Sequence, residues 1–123
     1  MHFQSLHKYK ANKVSHAGRS FASKLEASLY DYLKLLELAG DISELTCQVT
    51  VYLTRARIQM RPDDSVLEHG KLIFAEAKGY ETSDYRIKRK LWQFYGPGPL
   101  RVYKGTYRKL VLAEELIPES VSE

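Results

Sequence analysis

Residues 61–78 read RPDDSVLEHGKLIFAEAK, and their pattern frames the rest of the chain. In KLIFAEAK, Leu72, Phe74, Glu76 and Lys78 recur every second residue, so in a strand all four side chains leave the same face. Upstream, Leu45, Cys47, Val49, Val51 and Leu53 alternate with Thr46, Gln48, Thr50, Tyr52 and Thr54, and Ala56, Ile58 and Met60 extend the pattern. That predicts a half-buried strand ending at Pro62, which cannot donate to a sheet ladder. Asp63 then stands at a strand end, and the polar DDSVLEHG reads as a hairpin connection.

Two helical segments flank this region. FASKLEASLYDYLKLLELAG, residues 21–40, places Phe21, Leu25, Leu29, Tyr32, Leu33 and Leu36 on one stripe, with a start at Ser20 or Ser23 and a stop at Gly40. Glu26 falls roughly 80° from the middle of that stripe, on the flank of the buried face. After Gly79, Thr82 or Ser83 caps a second helix to about Tyr95, with Ile87, Leu91 and Phe94 inward and Arg86, Lys88, Arg89 and Lys90 around the rest. GPGP at 96–99 ends it, and LRVYK has the residue types of a closing strand. A last strand reached through a crossover helix predicts an α/β fold with a mixed central sheet flanked by helices. Residues 1–112 are expected to form one domain with a basic N-terminal arm. Residues 113–123 are expected to be an acidic tail, with KLVLAEELI able to dock as a further short element.

At 123 residues the chain is the size of a single domain, and its longest apolar run is far below the roughly 18 residues of a bilayer span. MHFQSLHKYK carries charge where an export signal needs an apolar stretch, so a cytoplasmic protein with no membrane partner is expected. Cys47 has no second cysteine, which excludes a disulfide within the chain and a cysteine zinc cage. His2, His7, His16 and His69 show no ligand spacing. Charge is segregated: residues 1–24 hold five bases and no acid, and residues 84–109 hold eight bases against Asp84 alone. Between them, residues 25–83 carry ten acids and six bases. Basic segments on either side of an acidic middle suit an anionic polymer held against carboxylates.

Hydrolysis of a phosphodiester needs an activated water and neutralised phosphate charge, which a divalent ion on carboxylates supplies. Mg²⁺ usually takes one or two protein carboxylates and keeps its other positions for water and phosphate. Asp63 at a strand end and Glu76 on the next strand converge if the two are hairpin neighbours. Lys78, on the same face as Glu76, is placed to orient or deprotonate the attacking water and offset developing charge. Glu26 is a further ligand or water-positioning group. Each has a plainer reading: Ser23 with Glu26 as a capping box, Asp63 as a turn acid, Glu76 with Lys78 as a same-face ion pair. Gln48 and Gln93 read as solvent-facing amides, with positioning of water or DNA as the alternative.

Pro62-Asp63 followed by Glu76-Ala77-Lys78 resembles the PD-(D/E)xK nuclease signature, and FASKLEA resembles the first-helix motif of that superfamily. HKYKANK and the basic run after EAKG are similar to segments of small phage-type members akin to Holliday-junction resolvases and VRR nucleases. The resemblance spans roughly Lys8 to Lys104. It implies a restriction-endonuclease-like αβββαβ core, DNA cleavage dependent on Mg²⁺ or Mn²⁺, and frequent homodimerisation. Asp63, Glu76 and Glu26 are then the metal ligands, Asp63 being favoured over Asp64 because it directly follows the proline. Lys8, Lys10, Lys13, Arg86, Lys88, Arg89, Lys90 and Lys104 are the expected DNA contacts, with Arg101 nearby. A junction-resolving endonuclease is the leading expectation. A sequence-specific homing, restriction or transposon-end enzyme, or a DNA-binding protein without hydrolysis, are the alternatives.

Overall fold

The computed structural model describes residues 13–121. In chain order its elements are β1 (Val14–His16), β2 (Arg19–Phe21), α1 (Lys24–Leu38), β3 (Ser43–Cys47), β4 (Val51–Tyr52), β5 (Gln59–Met60), β6 (Asp64–Glu68), β7 (Lys71–Ala77), α2 (Ser83–Tyr95), β8 (Leu100–Thr106) and β9 (Lys109–Leu116). The main sheet has the order β3-β6-β7-β8-β9. All its neighbours are antiparallel except β7 and β8, which run parallel across the α2 crossover. The expected mixed sheet with helices against it is therefore present.

Strand parity divides the core between the two helices. Phe74, Leu100 and Val102 meet Tyr85 and Trp92 of α2 on one side. Ile73, Ala75 and Tyr103 meet Leu29 and Leu33 of α1 on the other, as adjacent residues of a strand must. No helix among the described residues is long and apolar enough to cross a membrane.

Several expectations are corrected. DDSVLEHG is not a connection: Asp64–Glu68 is the strand between β3 and β7, and the turn is only His69-Gly70, both at positive φ. Two successive positive-φ residues match the right-handed twist of a hairpin. Polar Asp64 and Ser65 hid the strand because they are buried where apolar residues are expected. Residues 45–60 are not one strand either. β3 ends at Cys47, Gln48 turns the chain at φ 58, and β4 and β5 pair as a separate hairpin around a bend at Thr54–Ile58. The sequence carries a mark of that bend: apolar residues fall on odd positions through Leu53 and on even positions from Ala56.

In α1, Glu26 is buried rather than on an open flank, and Tyr32 is exposed. Burial in α2 falls on Tyr85 and Trp92, while Ile87 and Phe94 face outward. The expected boundary at residue 113 falls inside β9, which pairs with β8 up to Leu116, and Pro118 beyond it is fully buried.

Candidate active site

The site forms where β6 and β7 begin and end side by side. Asp64 pairs with Ala75 in the β6–β7 ladder, so Asp63 lies one step beyond, beside the end of β7. There the Ala77 N–H donates to Asp63 Oδ2 at 2.7 Å. Ala77 is the residue between Glu76 and Lys78. On the other flank, Gln48 N donates to the Asp63 carbonyl at 2.7 Å, and Gln48 Nε2 donates to Glu26 Oε2 at 2.6 Å. A continuous set of hydrogen bonds thus joins Glu26 on α1, Gln48 after β3, Asp63 before β6 and the Glu76-Ala77-Lys78 end of β7.

Glu26 also has the capping role. Its N–H donates to Ser23 Oγ at 3.1 Å, and its Oε1 accepts from Ala22 N at 3.0 Å. Both carboxylate oxygens are therefore bonded. Ser23 fixes the first turn of α1, and that turn aims Glu26 at Gln48.

The electrostatics are those of acids brought together out of water. Burial first, then the charge of Glu26, push Asp63 up to about 8 against the pull of the Ala77 N–H; Glu76 and Asp64 add to the rise. Burial likewise raises Glu76, opposed by the Tyr85 hydroxyl and Lys78. Asp64 rises to about 6, mainly through burial, with the Cys47 thiol opposing. Asp64 is 2% exposed and shares a strand face with Ala75, the α1 side, whereas Glu76 lies on the α2 side. Asp63, not Asp64, is thus the aspartate held against Glu76-Ala77-Lys78. Cys47 packs partly against the Phe21, Ala27 and Tyr30 cluster, and burial pushes its thiol up to about 12.

Glu76 and Lys78 line a cleft of about 290 Å³ whose other walls include Met60, Arg61, Tyr85 and Lys88. Asp63 and Glu26 stand behind it, outside its lining. The Lys78 ammonium sits 4.2 Å from the centre of the Tyr85 ring. Tyr85 Oη faces Glu76, yet no hydrogen bond closes between them: Glu76 Oε2 and Tyr85 Oη are both buried without a partner. A small shift that closes their mutual hydrogen bond would satisfy both, and so would a polar group or cation entering the cleft. Among the described residues no group of three or more His, Cys, Asp or Glu forms a ready ligand set for a metal ion.

Residues 6–113 match the model of a family described as "Protein of unknown function (DUF1064)". The chain belongs to the DUF1064 family. No curated protein matches it. The DUF1064 match takes in Glu26, Asp63, Glu76, Lys78 and both helices, and it ends inside β9.

The predicted cations divide into two groups. Lys8 and Lys10 lie outside the described residues, and Lys13 is exposed ahead of β1. Arg86 and Lys90 are exposed on α2, and Lys88 reaches the cleft. Arg89 is instead paired with Glu114, Lys104 with Glu81 at 2.6 Å, and Arg101 with both Glu68 and Glu115.

Three features escaped the sequence reading. Gln48 is bonded to Glu26 rather than turned to solvent, which only the left-handed bend at its own position reveals. Tyr85 looked like one aromatic among nine tyrosines. Arg55, Arg57 and Arg61 were submerged in a segment that is acidic on average, although residues 48–62 hold these three bases and no acid.

Proposed function

We propose that the chain is a Mg²⁺-dependent DNA endonuclease, with Mn²⁺ able to substitute, belonging with PD-(D/E)xK nucleases. The observation that carries this reading is the hydrogen-bonded run from Glu26 through Gln48 and Asp63 to Ala77, the residue between Glu76 and Lys78. Of the four residues chosen by motif, Glu76 and Lys78 line a cleft that also holds Arg61 and Lys88, and Asp63 and Glu26 connect to them through the hydrogen bonds of Ala77 and Gln48.

The donor set suits a hard divalent cation. It is all oxygen, it is buried, and Glu76 Oε2 has no partner. A cage of three protein ligands is not required of Mg²⁺. Asp63 and Glu76 are the residues to hold the ion, with Glu26 acting through Gln48 to fix Asp63. A bound ion supplies an activated water and neutralises phosphate charge. Lys78 orients the attacking water and offsets charge on the phosphate, and Tyr85 beneath it holds the ammonium over the cleft. Arg61 and Lys88 grip the phosphate. One chain carries one such cleft, so cutting both strands calls for a two-fold homodimer. Cleavage of a branched DNA such as a four-way junction is preferred to cleavage at a defined duplex sequence.

A second reading, a DNA-binding protein without hydrolysis, draws on Glu26, both of whose oxygens are already bonded. The two separate in one experiment: linear duplex, nicked duplex, single strand, flap and four-way junction incubated with Mg²⁺ or EDTA. Mg²⁺-dependent cleavage is expected, reduced at least a hundredfold in Glu76→Gln while DNA binding survives. Undiminished cleavage by Glu76→Gln removes the site assignment, and binding without cleavage by the unaltered protein favours the second reading.

A further inference from the structure

The β4–β5 hairpin is fixed from below and open above. Val51, Leu53 and Met60 are buried with Tyr85 and Trp92, so its inner face is clamped to α2. Its bend is held by Leu53 N to Ile58 O at 2.7 Å and Arg57 N to Thr54 O at 2.8 Å. The outer face carries Tyr52, 52% exposed, with the Arg57 guanidinium 4.1 Å from its ring centre. Tyr52 and Arg55 line a groove of about 700 Å³ that Tyr95, 57% exposed at the end of α2, closes on the far side. Residues 48–62 contain Arg55, Arg57 and Arg61 and no acid, and among the described residues none of the three has an acidic partner.

A rigid tip with exposed aromatic rings and unneutralised guanidinium groups is ill-suited to water alone. It is suited to a nucleotide, whose base has a π face for the tyrosines and whose phosphate can meet the arginines. A base inside a regular duplex has both faces covered by its neighbours, so the groove selects one that is unpaired. We propose that Tyr52 and Tyr95, with Arg55 and Arg57, form a stacking subsite for an unpaired nucleotide of the DNA substrate. It rests on the endonuclease reading and adds the substrate class: DNA with an unpaired or displaced nucleotide next to a duplex.

The position of the groove fits that substrate. Tyr85 at the cleft and Tyr95 at the groove are ten residues apart on one helix, about 15 Å at 1.5 Å per residue. That is about four to five nucleotide steps along a DNA strand. The unpaired nucleotide therefore lies a few positions from the phosphate at Glu76 and Lys78, where Arg61 also lines the cleft.

The test is equilibrium binding of the full chain in EDTA, where cleavage is absent. The probes are a fully paired duplex and the same duplex with an internal unpaired 2-aminopurine, read by anisotropy and by 2-aminopurine fluorescence. The Tyr52→Ala/Tyr95→Ala variant should lose about ten- to a hundredfold in affinity for the unpaired probe, the range of one stacked base, and under threefold for the duplex. Tyr52→Phe should restore its share. Equal losses on both probes, or no loss, overturn the subsite while leaving the endonuclease reading intact. Failure of the unaltered protein to bind either DNA overturns both.

Discussion

Asp63 lies under the Ala77 N–H while burial and the charge of Glu26 push it up to about 8. In the unfolded chain it ionises near the ordinary value of 3.8. Between those values the folded protein holds a proton that the unfolded chain has lost, so stability falls as pH rises through that window. Asp64, raised to about 6, and Glu76, raised also, act in the same sense. Glu37, Glu68 and Glu81 are lowered by their basic partners, and their opposite contribution is confined to more acid pH. The metal-free protein should therefore melt about 5 °C or more lower at pH 8 than at pH 5.5. Asp63→Asn should flatten that slope, and Mg²⁺ at pH 8 should raise the melting temperature of the unaltered chain but not of Asp63→Asn. A thermal melt series decides it, and a melting temperature that climbs over the same window refutes it. The shared face of Glu76 and Lys78 was legible in the sequence because strand parity is a local rule. Asp63 comes to the end of β7 by a different route from the expected one, just ahead of β6 rather than at the end of a long strand. Gln48 and the burial of Glu26 were not legible, because both depend on what packs against them from elsewhere in the chain.

The α2–β8 crossover shows how an element can be placed correctly and rotated wrongly. Thr82 caps the helix and Gly96 ends it, as the capping residue and GPGP announce. The buried pair is nevertheless Tyr85 and Trp92, seven residues apart on one face, where Ile87, Leu91 and Phe94 had looked the more apolar stripe. Trp92 sets the orientation: its Nε1 donates to the Gly98 carbonyl at 2.9 Å, and its ring packs edge-on to Phe74 of β7. At Gly98 a methyl group would sit 2.5 Å from the Leu72 carbonyl oxygen, too close for any real contact. Gly98→Ala must therefore push the start of β8 from β7, where Phe74 N bonds to Pro99 O at 2.8 Å. A loss of about 2 kcal/mol is expected from such overpacking, seen as a lower urea midpoint with an unchanged slope. An unchanged midpoint would mean that the turn yields freely. β6 illustrates the opposite failure, since its pairing with both neighbours compensates for Asp64 and Ser65, residues that composition assigns to a loop.

Across the whole molecule, the proposed DNA path is to be sought not from total basicity but from the cations left unpaired. Arg89, Lys104 and Arg101 are neutralised by Glu114, Glu81 and by Glu68 with Glu115. Lys88 and Arg61, at the cleft mouth, have no such partner among the described residues, and Arg55 and Arg57 extend that surface along the hairpin. Coarse charge segmentation located the basic helix but missed the hairpin, because pairing is a property of the folded chain and not of a stretch of sequence. Each phosphate contact contributes close to one unit to the slope of log affinity against log salt concentration. Arg61→Ala and Lys88→Ala should each reduce that slope by about one and weaken binding alike on every DNA. Lys104→Ala should leave the slope unchanged, since its charge is already met by Glu81, and Arg89→Ala should act the same way through Glu114. Fluorescence titrations of a short duplex between about 50 and 200 mM salt separate the two pairs. If Lys104→Ala shifts the slope as far as Lys88→Ala does, the DNA path must cross the β8 side of the sheet and the hairpin is not its principal track.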